Sequence, residues 1–253
     1  LKQNNISVSY PIADKNNNYI QSINAPEGTR YVVVYSYAEG ECIRKLSLEQ
    51  SFLLGVETAK IHNLTANKNF GESVFKYDFE SQFENAITTL KPLLINHLKQ
   101  YDDLISLKEE FTNVWATINK NEITTGICHG DLQAENFHIT DENKFTFFDF
   151  DFSGNGCLIY DIGVFMWYDH KNKSKEIIKS FLDGYQSQRL LTPSEIELLP
   201  YFSTLRALFQ MSLYCTISDG NQLPVWPAHQ VAAFIGKINR WHNEQKKAVK
   251  FLK

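Results

Sequence analysis

The sequence predicts an α+β fold, with a small β-rich amino-terminal part, a larger and mostly helical body, and one β-hairpin inside that body. Residues 31–35 form an apolar, β-branched and aromatic run that is typical of a strand. After Gly40, apolar residues recur at helical spacing. Near the middle of the chain, two β-compatible segments flank a polar turn at residues 141–144.

Composition limits the classes of function. The chain has 253 residues, 43% of them hydrophobic, and a net charge of -4, as expected of a globular protein with a core and a cleft. Its longest basic run is the pair Lys246-Lys247, and no apolar run approaches the roughly 20 residues of a membrane-spanning helix. We therefore predict neither a nucleic-acid partner nor a membrane partner. The sequence does not indicate the oligomeric state.

The cysteines and the first residue bear on location and completeness. The 4 cysteines are widely spaced and form no Cys-x-x-Cys pair. This argues against a zinc site and a disulfide framework, and it predicts a reducing, cytoplasmic location. Residue 1 is Leu, and the only methionines are Met166 and Met211, so we expect the chain to lack the start of its translation product.

The amino-terminal part is predicted from its turns and its apolar run. Residues 16–18, all Asn, are expected at a hairpin tip because Asn tolerates left-handed backbone angles. Residues 26–28 are typical of a turn, and the run 31–35 after them is expected to be a buried strand. Residues 1–40 are interpreted as the remnant of an amino-terminal β-rich lobe with its hinge, and residues 41–253 as a helical lobe.

Helices are predicted from capping patterns and apolar periodicity. Ser47 and Gln50 form a capping box at the start of a helix over residues 48–62. Residues 192–195, Thr-Pro-Ser-Glu, combine an N-cap, a proline at the first helical position and a closing glutamate. Further helices are predicted over residues 79–101, with a kink at Pro92, and over residues 104–118, 175–189, 201–217 and 227–244.

The hairpin is expected to bring polar residues together. If its turn is centred between Glu142 and Asn143, Asn136 lies directly opposite Asp149. An amide oxygen and a carboxylate at that distance suit a hard cation such as Mg²⁺. Asp131, on the loop that enters the hairpin, can reach the same space. A base and two oxygen ligands are the parts that phosphoryl transfer requires.

These residues resemble a known family. His129-Gly130-Asp131 with Asn136, followed by Asp149-Phe150-Asp151, is similar to the catalytic-loop and metal-loop pair of the aminoglycoside phosphotransferase, choline kinase and type II homoserine kinase superfamily. That superfamily is related to the eukaryotic protein kinases. The resemblance, which covers roughly residues 31–167, therefore implies a protein-kinase-like fold and a phosphotransferase that uses ATP and Mg²⁺.

The resemblance implies roles in the catalytic loop. Asp131 corresponds to the catalytic base. His129 corresponds to a brace of the loop, and a buried, hydrogen-bonded strut is also the interpretation that its own neighbours favour. Asp161 corresponds to the aspartate that opens the next helix and steadies the loop.

The resemblance also implies metal ligands. Asn136 and Asp149 correspond to the residues that hold Mg²⁺. Asp151 stands where protein kinases have the glycine of Asp-Phe-Gly. This difference favours a small-molecule kinase, in some of which the acidic residue also contacts metal. The alternative interpretations are a solvent-facing or helix-capping carboxylate for Asp151, and ordinary turn residues for Asp131, Asn136 and Asp149.

A nucleotide pocket follows from the same resemblance. Residues 31–38 would form the hinge strand, whose backbone near Ser36 and Ala38 would hydrogen-bond the adenine. His138 would lie under the adenine, and Phe148 would line the same pocket. As an alternative, His138 is an ordinary strand residue.

One departure from the family concerns the phosphates. In the family, a phosphate-covering loop and a lysine that holds the α- and β-phosphates precede the hinge strand. Neither Lys2 nor Lys15 is at a matching position. We therefore expect most of the amino-terminal lobe to be absent from the numbered chain.

Two further clusters have a structural and a functional interpretation. Asp169, Glu176 and Asp183 are interpreted as a solvated helix face, with an acidic acceptor site as the alternative. A set of aromatic residues is interpreted as helix packing, with a cage for a cationic substrate as the alternative. These aromatic residues are Trp115, Tyr201, Phe202, Phe209, Tyr214 and Trp226.

Together these observations predict an ATP-dependent phosphotransferase that moves the γ-phosphate to a hydroxyl of an aminoglycoside-, choline- or homoserine-like small molecule. Two alternatives stay open. One is a protein Ser/Thr kinase of the same fold, which the lack of an activation segment between Asp151 and Asp161 opposes. The other is a non-catalytic module that binds a nucleotide or a partner, which the missing lysine favours.

Overall fold

The structure is a computed structural model that describes residues 1–72, 74–168, 175–220 and 226–249, so Asp169 lies outside the described residues. These ranges show the α+β class that the sequence predicts. In chain order the elements are β1 (Gln21–Ala25), β2 (Gly28–Val32), α1 (Leu48–Thr65), β3 (Phe75–Tyr77), α2 (Phe79–Leu90), α3 (Leu98–Thr117), β4 (Thr125–Cys128), β5 (Phe137–Ile139), β6 (Phe145–Phe147), β7 (Gly154–Cys157), α4 (Ile159–Tyr168), α5 (Lys175–Gln186), α6 (Pro193–Gly220) and α7 (Ala228–Val249).

The chain folds into two compact units, each built from three separate segments. The predicted division between residues 1–40 and 41–253 stays a prediction. The first unit comprises Leu1–Leu64, Gln133–Asp151 and Ser174–Arg189, and the second comprises Thr65–Leu132, Phe152–Lys173 and Leu190–Lys253.

An exposed two-stranded ribbon lies near the start of the first unit. β1 and β2 pair antiparallel, with Ala25 opposite Gly28, as the turn residues predict. The prediction of a buried strand over residues 31–35 is wrong, because β2 ends at Val32 and Tyr31 is 76% exposed. β-branched and aromatic residues favour an extended backbone, but they do not supply a second layer to cover it.

The asparagines at residues 16–18 form a turn ahead of the ribbon and not its tip. The Asp14 carboxylate accepts hydrogen bonds from the N–H groups of Asn16 and Asn18, each at 2.8 Å. Asn17 adopts a φ of 63°, the left-handed conformation that was the basis of the prediction.

Two helices of the first unit pack at close range. The capping box at the start of α1 is confirmed, since the Gln50 N–H donates to Ser47 Oγ and the Ser47 N–H donates to Gln50 Oε1, both at 3.1 Å. A Cβ on Gly55 of α1 or on Gly184 of α5 would overlap a backbone carbonyl of the other helix. Glycine at these positions therefore permits the close approach of α1 and α5.

The predicted hairpin is present, but its register differs by one residue. Phe137 pairs with Phe147, and the Phe148 N–H donates to the Asn136 carbonyl at 3.0 Å. Asn143 has a φ of 58°, so the loop is a type I turn followed by a left-handed residue and not a turn centred between residues 142 and 143. The prediction that Asn136 lies directly opposite Asp149 is therefore wrong.

Helices dominate the second unit. Residues 159–167 of α4 are all buried. The Phe111 ring of α3 lies 5.1 Å from the Tyr201 ring and 5.7 Å from the Phe202 ring, both on α6. Tyr201 and Phe202 are thus packing residues, as interpreted from the sequence. The same unit contains a three-stranded sheet in which β7 lies between β3 and β4.

Pro92 has a different effect from the one predicted, and a second proline, Pro200, lies inside a continuous helix. Pro92 separates two helices instead of kinking one, because α2 ends at Leu90 and a 3-10 turn, Lys91–Leu94, precedes α3. Residues 104–118 are the later part of α3. α6 continues through Pro200, so the segments predicted as separate helices at residues 192–195 and 201–217 are one helix. Within the described ranges, we find no helix with the length and hydropathy of a membrane span.

Candidate active site

The loop after β4 depends on one glycine. Gly130 has a φ of 82°, a conformation that L side chains rarely adopt. A Cβ at this position would also collide with the Phe152 carbonyl and the Tyr77 hydroxyl. The Tyr77 hydroxyl donates a hydrogen bond to the Phe152 carbonyl, so both groups are fixed against the loop. Only glycine fits this position.

A buried carboxylate holds the backbone of the same loop. Asp161, in the first turn of α4, is 1% exposed. Its two oxygens accept hydrogen bonds from the N–H groups of His129, at 2.7 Å, and Gly130, at 2.8 Å. The Asp131 N–H points to His129 Nδ1 at 3.4 Å. The structure therefore brings His129, Asp131 and Asp161 together in the second unit.

Asp131 has an ion-pair partner, Arg206, that the sequence does not predict. Both Asp131 and Arg206 of α6 are buried, and the Arg206 Nη2 donates to Asp131 Oδ1 and to the Tyr168 hydroxyl. The guanidinium carbon of Arg206 lies 4.9 Å from the centre of the Tyr168 ring and 5.2 Å from that of Phe209. The available signal was an arginine within the apolar residues 205–209 of a predicted helix.

Burial and charge together keep this arginine protonated. Burial by itself lowers the pKa of Arg206, but Tyr160, Tyr168 and Asp131 raise it, and the net pKa lies above the ordinary value. Burial raises the pKa of Tyr168 to about 12, although the Arg206 charge opposes this. At neutral pH the Tyr168 hydroxyl is therefore neutral and the Arg206 guanidinium is charged.

The predicted metal ligands lie in the first unit. Asn136 ends a 3-10 turn, Ala134–Asn136, and is 4% exposed. Asp149 follows β6 with a φ of 59°, a left-handed conformation that few residues other than glycine adopt. Both Asp149 and Asp151 are exposed. Backbone strain of this kind is concentrated at functional sites.

One cavity of about 660 Å³ contains most of the residues predicted for the nucleotide and the metal. It lies within the first unit, and Asn136 is not among its lining residues. Its walls come from the segment before α1 and from the hairpin. The lining residues are Ser9, Tyr35, Ser36, Tyr37, Ala38, His138, Phe148, Asp149, Phe150 and Asp151.

Hydrogen bonds within this cavity define which groups remain for a ligand. His138 Nδ1 lies 2.9 Å from the Ala38 carbonyl, and since a carbonyl only accepts, Nδ1 carries the proton. The Ser36 N–H donates to the Tyr10 carbonyl at 2.9 Å, and the Ser9 hydroxyl donates to the Ser36 carbonyl at 2.6 Å. The Ser36 N–H is therefore committed to the protein, whereas its carbonyl oxygen keeps one lone pair.

The donor set of the first unit suits a hard cation. In the part of the chain that the structure describes, no group of three or more His, Cys, Asp or Glu side chains is placed to hold a metal. Mg²⁺ is commonly held by one or two protein carboxylates, with substrate phosphates and water completing the octahedron. Asp149 and Asp151 in one cavity, with the Asn136 amide next to the hairpin, are compatible with such a site.

A larger depression, of about 760 Å³, lies along the sheet of the second unit. Its lining includes Lys68, Lys76, Trp115 and Asn155. It contains none of the residues that the sequence predicts for catalysis, and its size alone does not make it the active site.

The chain is similar in sequence to a protein family and to individual relatives. The model of a phosphotransferase enzyme family matches residues 1–199. An uncharacterized protein of Synechocystis sp. is 31% identical over 77% of this chain, and the chain spans 55% of the length of that protein. Amicoumacin kinase of Bacillus subtilis is 25% identical over 90% of this chain and 70% of its own length.

A solved structure has the same fold. The structure of an amicoumacin kinase in complex with AMP-PNP, Ca²⁺ and Ami superposes with a TM-score of 0.67. It covers 96% of this chain and 74% of its own, at 19% identity. The protein-kinase-like architecture implied by the sequence is thus confirmed at the level of the fold.

Proposed function

The chain belongs to the phosphotransferase enzyme family, and on this premise we propose that it transfers the γ-phosphoryl group of ATP to a hydroxyl of a small molecule. The observation that carries the proposal is the buried Asp131 carboxylate on a loop whose backbone N–H groups are held by Asp161. The acceptor belongs to the aminoglycoside-, choline- or homoserine-like alcohols. Amicoumacin kinase, a relative over most of the chain, supports a small-molecule acceptor.

The proposed chemistry uses Asp131 as the base. As the acceptor oxygen attacks the γ-phosphorus, Asp131 accepts the hydroxyl proton and the bond to the leaving β-phosphate oxygen breaks. His129 and Asp161 hold the loop so that the carboxylate does not need to reorganise during the reaction. The cavity of the first unit would hold the nucleotide, with Phe148 and His138 along the base and the Ser36 carbonyl as an acceptor.

We further propose that Asn136, Asp149 and Asp151 hold Mg²⁺ in the nucleotide complex. The metal would neutralise charge on the phosphate oxygens. All three residues offer oxygen atoms, the ligands that this ion prefers. The amicoumacin kinase complex, which contains AMP-PNP and Ca²⁺, supports a nucleotide site with a divalent cation in this fold.

The other hypotheses have less support. The relatives reported above give no support to a protein Ser/Thr kinase. A non-catalytic module would not need the clamped and buried Asp131. We also propose a cytoplasmic location, since Cys42, Cys128, Cys157 and Cys215 are all free thiols.

The substitution Asp131→Asn tests the proposal. In a coupled assay of ADP release with ATP, Mg²⁺ and a panel of amino alcohols, hydroxy amino acids and aminoglycosides, we expect turnover to fall by about 100-fold or more, because general-base catalysis contributes that much. Nucleotide affinity should stay within about twofold, since the substitution leaves the nucleotide cavity unchanged. Asp141→Asn, at the exposed hairpin loop, is the control and should be silent.

Two results would contradict the proposal. Wild-type turnover in the Asp131→Asn variant would exclude Asp131 as the base. Nucleotide binding with no acceptor-dependent ADP release would favour the non-catalytic module.

A further inference from the structure

A glutamine in the second unit lacks hydrogen-bonding partners in a buried position. Gln82 lies on the buried face of α2, in register with Phe79, Phe83, Ala86 and Leu90. Its side chain is 8% exposed. Among the residues that the structure describes, neither its Nε2 nor its Oε1 atom has a hydrogen-bonding partner.

Such a residue opposes folding. A buried amide without partners loses its hydration and gains no hydrogen bond in return. Leu or Met at this position would continue the apolar face of α2 without that loss. No contact within the described part of the fold explains why a polar side chain occupies this core position, so Gln82 is a candidate for contact with a ligand.

The Gln82 side chain lines a cavity of about 140 Å³ within the second unit. The aromatic part of its wall includes Phe75, Tyr77 and Phe209. Phe209 lies against the guanidinium of Arg206, which holds Asp131, and the Tyr77 hydroxyl is packed against Gly130. The cavity, which we name the Gln82 cavity, therefore adjoins the residues that hold the proposed base.

The charge of the lining limits the ligand. Lys76 is the only charged side chain among the residues that line the Gln82 cavity, and its ammonium is paired with Glu72. No lining residue is an aspartate or glutamate, so a buried ammonium group would have no counter-charge. A carboxylate would have to compete with Glu72 for Lys76. The lining suits a neutral polar group.

We propose that the Gln82 cavity binds a carboxamide group of the acceptor. The amide atoms of Gln82 have almost no accessible surface in this structure, so on binding the side chain would rotate into the cavity. There its Oε1 would accept from the ligand N–H, and its Nε2–H would donate to the ligand carbonyl. An amide is the neutral group that offers a donor and an acceptor side by side, as Gln82 itself does. This inference rests on the proposed function, because it names a part of the acceptor whose hydroxyl meets Asp131.

The experiment measures binding to the 253-residue protein without ATP, so it is independent of turnover. The probes are γ-hydroxybutyramide, γ-hydroxybutyrate and the amino alcohol of the same length, titrated by calorimetry. The variant is Gln82→Met, which keeps the volume of the side chain. The matched control is Gln245→Met on α7, since Gln245 is also 8% exposed and is not among the lining residues.

We expect the amide to bind at least about tenfold more tightly than the other two probes, because a site built for hydrogen bonds rejects analogues that leave it unpaired. Gln82→Met should remove this preference and also raise the melting temperature, since an unpaired buried amide is replaced by an apolar group. Gln245→Met should leave the preference unchanged.

Three results would overturn the inference. They are an amide that does not bind at millimolar concentration, three probes that bind within about twofold of one another, and a Gln82→Met variant that keeps the wild-type preference. Loss of ADP release in the coupled assay, with the amide preference intact, would count against the kinase proposal alone.

Discussion

At the scale of single residues, Arg206 determines the surroundings of Asp131. The Arg206 and Asp131 side chains are 3% and 8% exposed, so each compensates for the other's buried charge. Removing one partner of such a pair leaves an uncompensated charge and commonly costs about 3–5 kcal/mol. The guanidinium of Arg206 also lies against the Tyr168 and Phe209 rings. These rings fix the orientation of the guanidinium that binds the Asp131 carboxylate.

We predict that Arg206→Met lowers kcat by about tenfold or more, because Asp131 loses the arginine that holds its carboxylate. The KM for ATP should stay within about twofold, because Arg206 does not line the nucleotide cavity. Arg206→Lys restores the charge without the planar stacking, so it should recover kcat in part. Steady-state kinetics of both variants, with Arg189→Met as the control, checks this prediction. Equal loss of kcat in the Lys and Met variants would show that Arg206 has only a structural role.

Residues of the site divide by how well the sequence predicts them. His129, Asp131 and Asp161 lie together because a short motif and the following helix fix their positions. Arg206 and Gln82 come from distant helices. Periodicity predicts that a residue lies on a buried face of its helix. It does not predict that Arg206 pairs with Asp131, or that the Gln82 amide has no hydrogen-bonding partner among the described residues.

At the scale of elements, capping chemistry is the most reliable predictor. The Ser47–Gln50 box is present as expected, and the Thr192 N–H donates to the Glu195 carboxylate at 3.2 Å in the second box. Turn geometry was less predictable, because Asn143 takes a left-handed conformation that shifts the hairpin register by one residue. Capping patterns thus predict where a helix begins more reliably than the position of a turn predicts the register of a hairpin.

Helices α3, α6 and α7 meet at a buried histidine. His242 Nδ1 lies 2.9 Å from Thr204 Oγ1, and Nε2 lies 3.6 Å from a Glu110 oxygen, which Lys246 also contacts. Burial lowers the pKa of His242, and Glu110 offsets this only in part. Burial is the largest single effect on Glu110 and raises its pKa, but Lys246, His242 and Tyr201 together outweigh burial, and the net pKa is lowered.

We predict that this histidine makes the fold less stable as the pH falls below about 6.5. The unfolded chain, with the ordinary histidine pKa, takes up the proton first, so acid favours unfolding. Glu110 acts at lower pH, since its contribution is lost only as the pH falls through a pKa below the ordinary value. Between about pH 7.5 and 5.5, the melting temperature should fall less for the His242→Gln variant than for the wild type, as measured by thermal melts.

His229→Gln is the control for this measurement, because His229 is exposed on the same helix. Its melting temperature should follow the wild-type pH profile. An unchanged pH profile in the His242→Gln variant would contradict the assignment.

At the scale of the whole molecule, the β1–β2 ribbon and the residues beside it in sequence expose many large apolar side chains among the residues that the structure describes. Every residue of β2 is exposed, and large apolar side chains continue on both sides of it. Exposed apolar surface of this extent is typical of an interaction site or of an aggregation-prone region. These side chains are Ile12, Tyr19, Ile20, Ile23, Tyr31, Val32, Val34, Tyr35 and Tyr37.

We predict that the 253-residue chain binds ANS and self-associates with increasing concentration through this ribbon. Replacing Ile20, Ile23 and Tyr31 together by Thr should reduce both effects, because it removes exposed apolar area without touching a core. The control replaces three exposed apolar residues elsewhere by Thr, namely Ile95, Leu98 and Leu190, which are 69–79% exposed. Sedimentation velocity and dye fluorescence measure the outcome, and equal effects of the two triple variants would contradict it.

The segmented construction of the two units has a consequence for synthesis on the ribosome. The first unit is complete only when residues 174–189 have followed residues 1–64 and 133–151, and the second needs residues 190–253. Neither unit can close before its last segment has been made, and any contiguous fragment that contains all of one unit also contains part of the other. We therefore expect the nascent protein to depend on chaperones at least until residue 189 has emerged, and proteolytic dissection to yield no stable half.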